Sequence, residues 1–153
     1  MTRYFRFTAL LVPLLCFAAS TLAQESAFSR DMFENYIRIF NAGDSDLYAR
    51  YYHPDVVMER GDLKLEGIEA ILAFYQDFHD QAKQTIDVQA FLADEDRMFV
   101  ELQTLFEVHT DWSHPFAGEM KKGRRQVNSF VHYQLQDGKI ILIQSARLRV
   151  RAL

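Results

Sequence analysis

The chain has 153 residues, of which 49% are hydrophobic and 14% aromatic, and its formal net charge at pH 7 is −4. This length is enough for one domain with a sizeable core, and the acidic balance excludes nucleic-acid binding by simple charge attraction. The high share of Phe and Tyr suits a deep apolar cavity, although a plain aromatic core is the commoner explanation.

The N-terminal segment has the layout of a secretory signal peptide. Two arginines precede an uncharged apolar run over residues 7–19, and the small residues within 20–23 fit a cleavage site. The run is shorter than the roughly 20 residues that cross a bilayer, which disfavours an uncleaved anchor. Lipid attachment at Cys16 is disfavoured because two leucines precede it. We expect cleavage near Ala23, a periplasmic or secreted protein, and no stable membrane insertion afterwards.

The expected mature chain, residues 24–153, forms one domain. It has no cysteine and therefore no disulfide in any compartment. Removing two of the 17 Lys and Arg residues leaves 15 against 21 acids, a net charge of −6. The five histidines lack the spacing of a zinc site, so we expect no metal and no cofactor. Nucleic acid is excluded as a partner by the same negative charge.

Three helices are predicted in the first half of the mature chain. Apolar residues recur at three- and four-residue steps over 28–40, and Asp44 or Ser45 caps a short second helix. Gly67 opens the third helix, whose apolar residues form a stripe. A short strand over 56–59 lies before it, as its β-branched content indicates.

Beyond Lys83 the apolar period changes to two, which predicts strands. The four strands cover about residues 86–92, 97–110, 124–135 and 139–150. Asp137-Gly138 is a hairpin turn signal between the last two. The segment 111–123 is either a lid over a pocket or, more simply, a long hairpin loop. Helices gathered ahead of an antiparallel sheet indicate the α+β class.

Four short patterns follow one another along the mature chain. They are Tyr36-Ile37 running to Ala42-Gly43-Asp44, then Tyr52-His53-Pro54-Asp55-Val56-Val57, then Gly67-Ile68-Glu69-Ala70-Ile71 with Phe74-Tyr75, and Asp137-Gly138-Lys139-Ile140. Their order and spacing resemble the nuclear transport factor 2-like superfamily, which includes SnoaL-like polyketide cyclases and ketosteroid isomerases. The resemblance implies a cone-shaped α+β fold, with three N-terminal helices packed on a curved, mainly antiparallel sheet around a ligand site.

The resemblance to ketosteroid isomerases can be checked at three positions. Tyr36 stands in the setting of their oxyanion tyrosine. The place of their catalytic aspartate falls on Arg60, with Glu59 beside it, and the place of their protonated aspartate falls near Asn128. Arginine cannot act as a base at ordinary pH, which argues against steroid isomerisation by that mechanism. Glu59 is a substitute only if the register differs by one residue, and such a slip turns a side chain to the opposite face.

Strand alternation separates candidate pocket residues from surface residues. On the strand over 97–110, the apolar side that carries Leu102 and Phe106 should line the cone. Glu101 and Glu107 lie on the other side, where they are better surface partners for arginines than catalytic acids.

His132 is the best sequence candidate for a titratable group in the pocket. It shares a strand side with Asn128 and Phe130, and histidine exchanges protons near neutral pH, although a structural or exposed role is the commoner one. An acid–base pair forms if His132 meets Glu59 or Asp55 across the cavity. The candidate catalytic residues are Tyr36, His132 and Glu59. The expected pocket lining consists of Tyr52, Met58, Tyr75, Leu102, Phe106, Asn128 and Phe130.

Arg147, Arg149 and Arg151 alternate along the last strand and are therefore expected on one face. If that face is the cavity, an anionic ligand is implied, because guanidinium pairs well with carboxylates. If it is the outer face, they pair with Glu101 and Glu107. The outer face is favoured because three arginines would overfill a small cone.

Two functions are compatible with these features. The first is an exported small-molecule-binding domain whose pocket holds an apolar or weakly acidic ligand. The second is a SnoaL-like isomerase, cyclase or dehydratase that uses acid–base chemistry without metal or cofactor. The missing isomerase aspartate favours binding. A homodimer is a further expectation, since dimerisation through the sheet is common in the resembled superfamily.

Overall fold

The computed structural model describes residues 28–114 and 118–153, so the predicted signal peptide lies outside the described residues. The described chain is of the α+β class, with few helices and a curved, mixed sheet. No helix in these two ranges is long and apolar enough to cross a membrane.

The helices lie before the long strands, as predicted. They are α1 (Arg30–Asn41), α2 (Ser45–Tyr48), which continues into a 3-10 turn at Ala49–Tyr51, and α3 (Ile68–Gln81). The Ser29 hydroxyl caps α1 by accepting a hydrogen bond from the backbone N–H of Met32 at 3.2 Å. The Asp44 carboxylate caps α2 in the same way, accepting from Leu47 at 3.1 Å. Gly67 precedes α3 with φ of 83°, a conformation that favours glycine.

Six of the strands form one sheet. In chain order the strands are β1 (Tyr52–Arg60), β2 (Leu63–Glu66), β3 (Ala82–Ala93), β4 (Arg97–Val108), β5 (Trp112–His114), β6 (Gly118–Met120), β7 (Gly123–Gln136) and β8 (Lys139–Ala152). The large sheet has the order β2-β1-β8-β7-β4-β3. Its neighbouring strands are antiparallel except β1 and β8, which are parallel. The last strand therefore lies inside the sheet, between the first strand and β7.

Two hairpins of the structure were not predicted. The strand β2 forms a hairpin with β1, and β5 pairs with β6 within the segment that was expected to be a lid or a loop. This second hairpin packs inward, since the Trp112 ring lies 5.0 Å from the ring of Phe78 and Met120 is buried. The segment is thus partly regular and contributes to the core.

Asn41, the last residue of α1, fastens this helix to the sheet. Its side-chain amide donates a hydrogen bond to the Ile86 carbonyl at 2.8 Å, and its side-chain oxygen accepts one from the Ile86 N–H at 2.8 Å. Because β3 is an edge strand, these two backbone groups have no neighbouring strand to pair with. Asn41 therefore substitutes for a strand partner and sets the height of α1 above the sheet.

The sheet has a cavity face, covered by the helices, and an outer face. On β4 the predicted division is confirmed, because one side of the strand is buried throughout. The buried side consists of Met98, Val100, Leu102, Thr104, Phe106 and Val108. The outer face carries Glu101 and Gln103 of β4 beside Asn128 of β7.

Candidate functional site

An interior cavity of about 50 Å³ lies between the helices and the cavity face of the sheet. Its apolar lining includes Met58 of β1 and Leu102 of β4. The polar lining consists of Tyr36, Arg60, Tyr75, Gln84, Thr104, Ser129, Tyr133 and Ser145. Among the described residues that line it there is no carboxylate and no histidine. The cavity can donate hydrogen bonds, but it holds no group that removes a proton at neutral pH.

Tyr36 and Tyr52 are joined by a hydrogen bond of 2.9 Å between their hydroxyl oxygens. Both side chains are almost completely buried, and desolvation raises the pKa of each well above the usual value. Burial likewise raises the pKa of Tyr75, whose hydroxyl contacts the Met58 sulfur at 3.5 Å. These phenols therefore stay neutral and act as hydrogen-bond donors and acceptors, not as bases.

Tyr133 differs from the other cavity tyrosines in its bonding. It is 4% exposed, and burial raises its pKa far above the usual value. Within the described part of the chain its hydroxyl makes no hydrogen bond, although it lines the cavity. The hydroxyl is not among the fully enclosed unpaired atoms of the described residues, so it is accessible from the cavity, where a ligand with a hydrogen-bonding group can bond to it.

Arg60 brings a positive charge to the cavity. Its Nε donates to the Ser145 hydroxyl at 3.2 Å, and its charge partly offsets the burial that raises the pKa values of Tyr75 and Tyr133. No carboxylate of the described residues lies within ion-pair distance of this guanidinium. The position at which the resemblance places a catalytic aspartate therefore carries a fixed cation.

A second cavity of about 40 Å³ adjoins the first, since Arg60 lines both. We call it the mouth cavity. Its lining consists of Arg60, Phe78, Phe106, Met120, Arg125, Val127, Arg147 and Val150. Three guanidinium groups thus border one small space whose other walls are apolar.

A bulge in β8 divides the arginines of the last strand between the two faces, so the expectation of a single face was wrong. Arg147 pairs with Ser129 and Arg149 with Asn128, which leaves Leu148 as an extra residue. Arg147 therefore lines the mouth cavity, whereas Arg149 and Arg151 line a cleft on the outer face. Glu101 belongs to the same outer cleft, as the outer-face alternative expected, while Glu107 lies 3.6 Å from Arg124 instead.

The structure places Asn128, Phe130 and His132 on the outer face and not in the pocket. The inward side of β7 is the other one, made of the buried residues Val127, Ser129, Val131, Tyr133 and Leu135. Phe130 is 46% exposed, and the Asn128 side chain accepts a hydrogen bond from Gln126 at 3.1 Å. Burial of the two valines and Tyr133 in the core outweighs exposure of the single Phe130 ring.

His132 and Glu59 are linked on the outer face through Gln144. The Gln144 amide donates to Glu59 at 2.7 Å, so its oxygen accepts from His132 Nδ1 at 3.0 Å, and Nδ1 therefore carries the proton. The imidazole also stacks on Phe99, with ring centroids 4.8 Å apart. Its Nε2 is enclosed without a hydrogen-bond partner among the described residues. The pair does not meet across the cavity, and Asp55 lies instead beside His53.

The structure brings together only part of the site expected from the sequence. Within or around the two cavities lie Tyr36, Tyr52, Met58, Tyr75, Leu102 and Phe106. Sequence reasoning missed Tyr133 and Arg125, and it disfavoured the cavity face for Arg147. A signal for Tyr133 was present, because it shares a strand side with Val127 and Val131.

No metal centre emerges from the rest of the described chain. Within residues 28–114 and 118–153, no group of three or more His, Cys, Asp or Glu side chains is placed to hold a metal ion. The chemistry that the described site offers is therefore that of phenol hydroxyls and guanidinium groups in an apolar surrounding.

Comparison with known proteins gives one family and many related folds. A family model described as a SnoaL-like domain matches residues 33–143. No curated protein sequence matches the chain. The solved structures described next are each less than 25% identical to this chain, and matches at that level show a shared fold.

Three solved structures illustrate the likeness. A protein assigned as a polyketide cyclase from Pseudomonas putida KT2440 is 17% identical, with a TM-score of 0.66 over 79% of this chain and 90% of that one. SalBIII, an epoxide hydrolase/cyclase-like enzyme of pyran ring formation in salinomycin, is 19% identical, with a TM-score of 0.65 over 80% and 94%. An LEH-like epoxide hydrolase from M. tuberculosis is 14% identical, with a TM-score of 0.61 over 76% and 79%.

Proposed function

Because the chain belongs to the SnoaL-like domain family, we propose that it is a small-molecule-binding domain whose ligand occupies the interior cavity of a cone formed by the three helices and the sheet. The observation that carries the proposal is the Tyr133 hydroxyl, which lines the cavity without a partner among the described residues and is accessible from it. Arg60 lies beside it as a second donor. These donors in an apolar surrounding fit an apolar or weakly acidic ligand with an acceptor oxygen.

The size of the cavity limits how the ligand enters. A volume of about 50 Å³ is far below the roughly 300 to 1,000 Å³ of ordinary ligand pockets. Binding of anything larger than a few atoms therefore requires side chains to move. Met58 and Gln84 are the uncharged, unbranched long side chains of the lining, and methionine adapts readily to new neighbours. We expect ligand binding to widen the cavity at these two residues.

Catalysis is the alternative function, and the donor set supports one form of it. Tyr36 and Arg60 are placed to stabilise a negative charge that develops on a ligand oxygen, as an isomerase, cyclase or dehydratase requires. No proton acceptor lines the interior cavity among the described residues. Glu59 and His132 serve this alternative only from the outer face, where Gln144 joins them. Binding is therefore the better-supported function.

The binding proposal is tested by thermal unfolding of the purified mature protein with carboxylates, steroids, quinones and polyketide-like aromatics. A ligand of the native state raises the melting temperature. We expect Tyr133→Phe to weaken the affinity of a hit by about tenfold, the value of one lost hydrogen bond. Tyr48→Phe is the matched control, since Tyr48 is buried outside the cavity. No hit in the panel, or equal loss in both variants, contradicts the proposal.

We also propose that residues 1–23 direct export and that the folded domain comprises residues 24–153. The proposal rests on the sequence pattern of two early arginines, a short apolar run and small residues before position 24. The periplasm or the medium is the expected location. The intact mass of the protein recovered from either compartment measures the cleavage position, and retention of the first 23 residues contradicts it.

A homodimer formed through the outer face of the sheet is proposed as well. This face exposes three large apolar side chains on neighbouring strands, Leu92 at 71%, Phe99 at 38% and Phe130 at 46%. Apolar side chains grouped on an open sheet are typical of a contact surface. The enclosed His132 Nε2 lies on the same face, beside the Phe99 ring.

A further inference from the structure

The three arginines of the mouth cavity have no counter-ion among the described residues. Arg60, Arg125 and Arg147 are absent from every ion pair of residues 28–114 and 118–153. Three arginines of the described chain outside this cavity are in ion pairs, as with Arg30 and Glu34 at 2.7 Å or Arg124 and Glu107 at 3.6 Å. Since acids outnumber bases 21 to 17 in the sequence, carboxylates are not scarce. Arg38, Arg50, Arg149 and Arg151 are also absent from these ion pairs, so what distinguishes the mouth cavity is that three unpaired guanidinium groups border one small space.

Like charges around one small space repel each other, and arginine cannot lose its charge at any ordinary pH. Arg60 donates to the Ser145 hydroxyl at 3.2 Å, and Arg125 contacts the Met120 sulfur at 3.0 Å. Thioether sulfur is only a weak acceptor. An anionic oxygen would be a better partner for Arg125 and would relieve the repulsion among the three guanidinium groups.

The remaining walls of the mouth cavity are apolar and partly aromatic. Phe78 and Phe106 lie with ring centroids 6.0 Å apart, and Val127 and Val150 complete the wall from β7 and β8. Phosphate would take hydrogen bonds from the guanidinium groups, but it has no apolar part to lie against these walls, so the walls would contribute nothing to its binding. A planar carboxylate needs fewer donors, and the guanidinium fork matches its two oxygens.

From this geometry we propose that the ligand is a carboxylate with an apolar, aromatic body, held at its charged end by Arg147, Arg125 and Arg60. The inference rests on the proposed binding function and names the class of ligand for the same site. The body lies against Phe78 and Phe106 and extends past Arg60 toward Tyr133, because Arg60 lines both cavities. The mouth cavity recognises the carboxylate, and the interior cavity recognises a second acceptor group of the same ligand.

The test is calorimetric titration of the purified protein with benzoate, phenylacetate and 1-naphthoate, each compared with its neutral amide, and with inorganic phosphate. We expect at least one carboxylate to bind ten times more tightly than its amide and than phosphate. Its affinity should fall with rising NaCl, because an ion pair is screened by salt. Arg147→Gln should lower the affinity for that carboxylate at least tenfold. Arg147→Lys should give an affinity between those of Arg147→Gln and the unchanged protein, because lysine keeps the charge but lacks the fork.

Arg149→Gln is the matched control, because the bulge at Leu148 places Arg149 on the outer face two residues away. It should bind the carboxylate as the unchanged protein does. The melting temperature without ligand shows that Arg147→Gln folds, and Arg125→Gln is the second variant if it does not. Equal binding of acid and amide, preference for phosphate, or equal loss in Arg147→Gln and Arg149→Gln overturns the inference.

The two proposals fail in different ways. If neutral members of the ligand panel bind and lose affinity in Tyr133→Phe while none of the three carboxylates is preferred, only the present inference is overturned. If neither neutral nor anionic compounds bind, the binding function itself is contradicted. A carboxylate that binds and depends on Arg147 but not on Tyr133 supports the mouth site and removes the interior cavity from the proposal.

Discussion

Tyr36 and Tyr52 show how the interior of this domain tolerates polar atoms. Each hydroxyl is the partner of the other at 2.9 Å, and both side chains are at most 3% exposed. Their polar atoms are therefore satisfied inside the core, and their rings pack in an edge contact with centroids 6.1 Å apart. The pair positions Tyr36 at the cavity wall, where the resemblance expected a donor.

The first prediction concerns this pair. Tyr36→Phe and Tyr52→Phe each leave one hydroxyl buried without a partner, so each should lower the free energy of unfolding by about 1 to 3 kcal/mol. The double variant removes both polar atoms and should cost less than the sum of the two. Equilibrium unfolding in urea measures all three values. Tyr48→Phe, whose hydroxyl has no such partner in the described chain, is the control, and additive losses contradict the coupling.

Single residues also show why the candidate site was only partly predictable. On β4 the apolar residues lie on one side, so alternation placed Leu102 and Phe106 correctly. On β7 Val127, Val131 and Tyr133 alternate on the inward side and Phe130 lies on the outward side, so alternation favoured the observed orientation. His132 was nevertheless placed inward, because it shares a side with Phe130 and with Asn128, which the resemblance puts at the site. The orientation is decided by burial of the two valines and Tyr133, which outweighs exposure of Phe130.

At the scale of the strand, the bulge at Leu148 decides which charges reach the ligand site. Regular alternation puts Arg147, Arg149 and Arg151 on one face, and a sequence contains no direct sign that one extra residue interrupts it. The bulge turns the strand so that Arg147 and Val150 both face the mouth cavity. The parallel pairing of β1 with β8 likewise could not be predicted from the sequence pattern, because it joins strands from opposite ends of the domain.

A deletion tests the role of the bulge. Removing Leu148, which is 57% exposed, should leave Arg147 opposite Ser129 and Arg149 opposite Asn128, since Leu148 is the extra residue between these two pairs. We expect the melting temperature to change little. Removing Ala146, which pairs with Phe130 in the regular part, is the control and should destabilise strongly by shifting the register. Thermal unfolding of both variants gives the comparison, and equal losses contradict this account.

At the scale of the whole molecule, the fold was predictable further than the site. The α+β class, the order of the main elements and the superfamily are confirmed, because they depend on long periodic patterns and on several turn signals at once. The short strand β2 and the hairpin of β5 and β6 were missed, since three or four residues carry too little periodicity. Side-chain orientation and bulges depend on packing between distant strands.

The prediction at this scale concerns the proposed homodimer, which forms through the outer face of the sheet. If it forms the proposed homodimer, Phe130→Glu should place a charge in an apolar contact and convert the dimer to a monomer at micromolar concentration. Leu47→Glu is the control, because Leu47 is 37% exposed on α2, outside the sheet. Light scattering after size-exclusion chromatography reports the mass. A monomer in the unchanged protein, or a dimer in both variants, contradicts the assembly.

The position of β8 inside the sheet has a consequence for synthesis. Without β8 the sheet consists of two separate parts, β2 with β1 and β7 with β4 and β3. A ribosome-bound chain that has emerged only as far as Gln136 therefore cannot join its first strand to its later ones, and the cavity between them has no continuous wall. The nascent chain therefore cannot complete its sheet until its final strand is made, as the export proposed above would require of a chain that crosses a membrane unfolded.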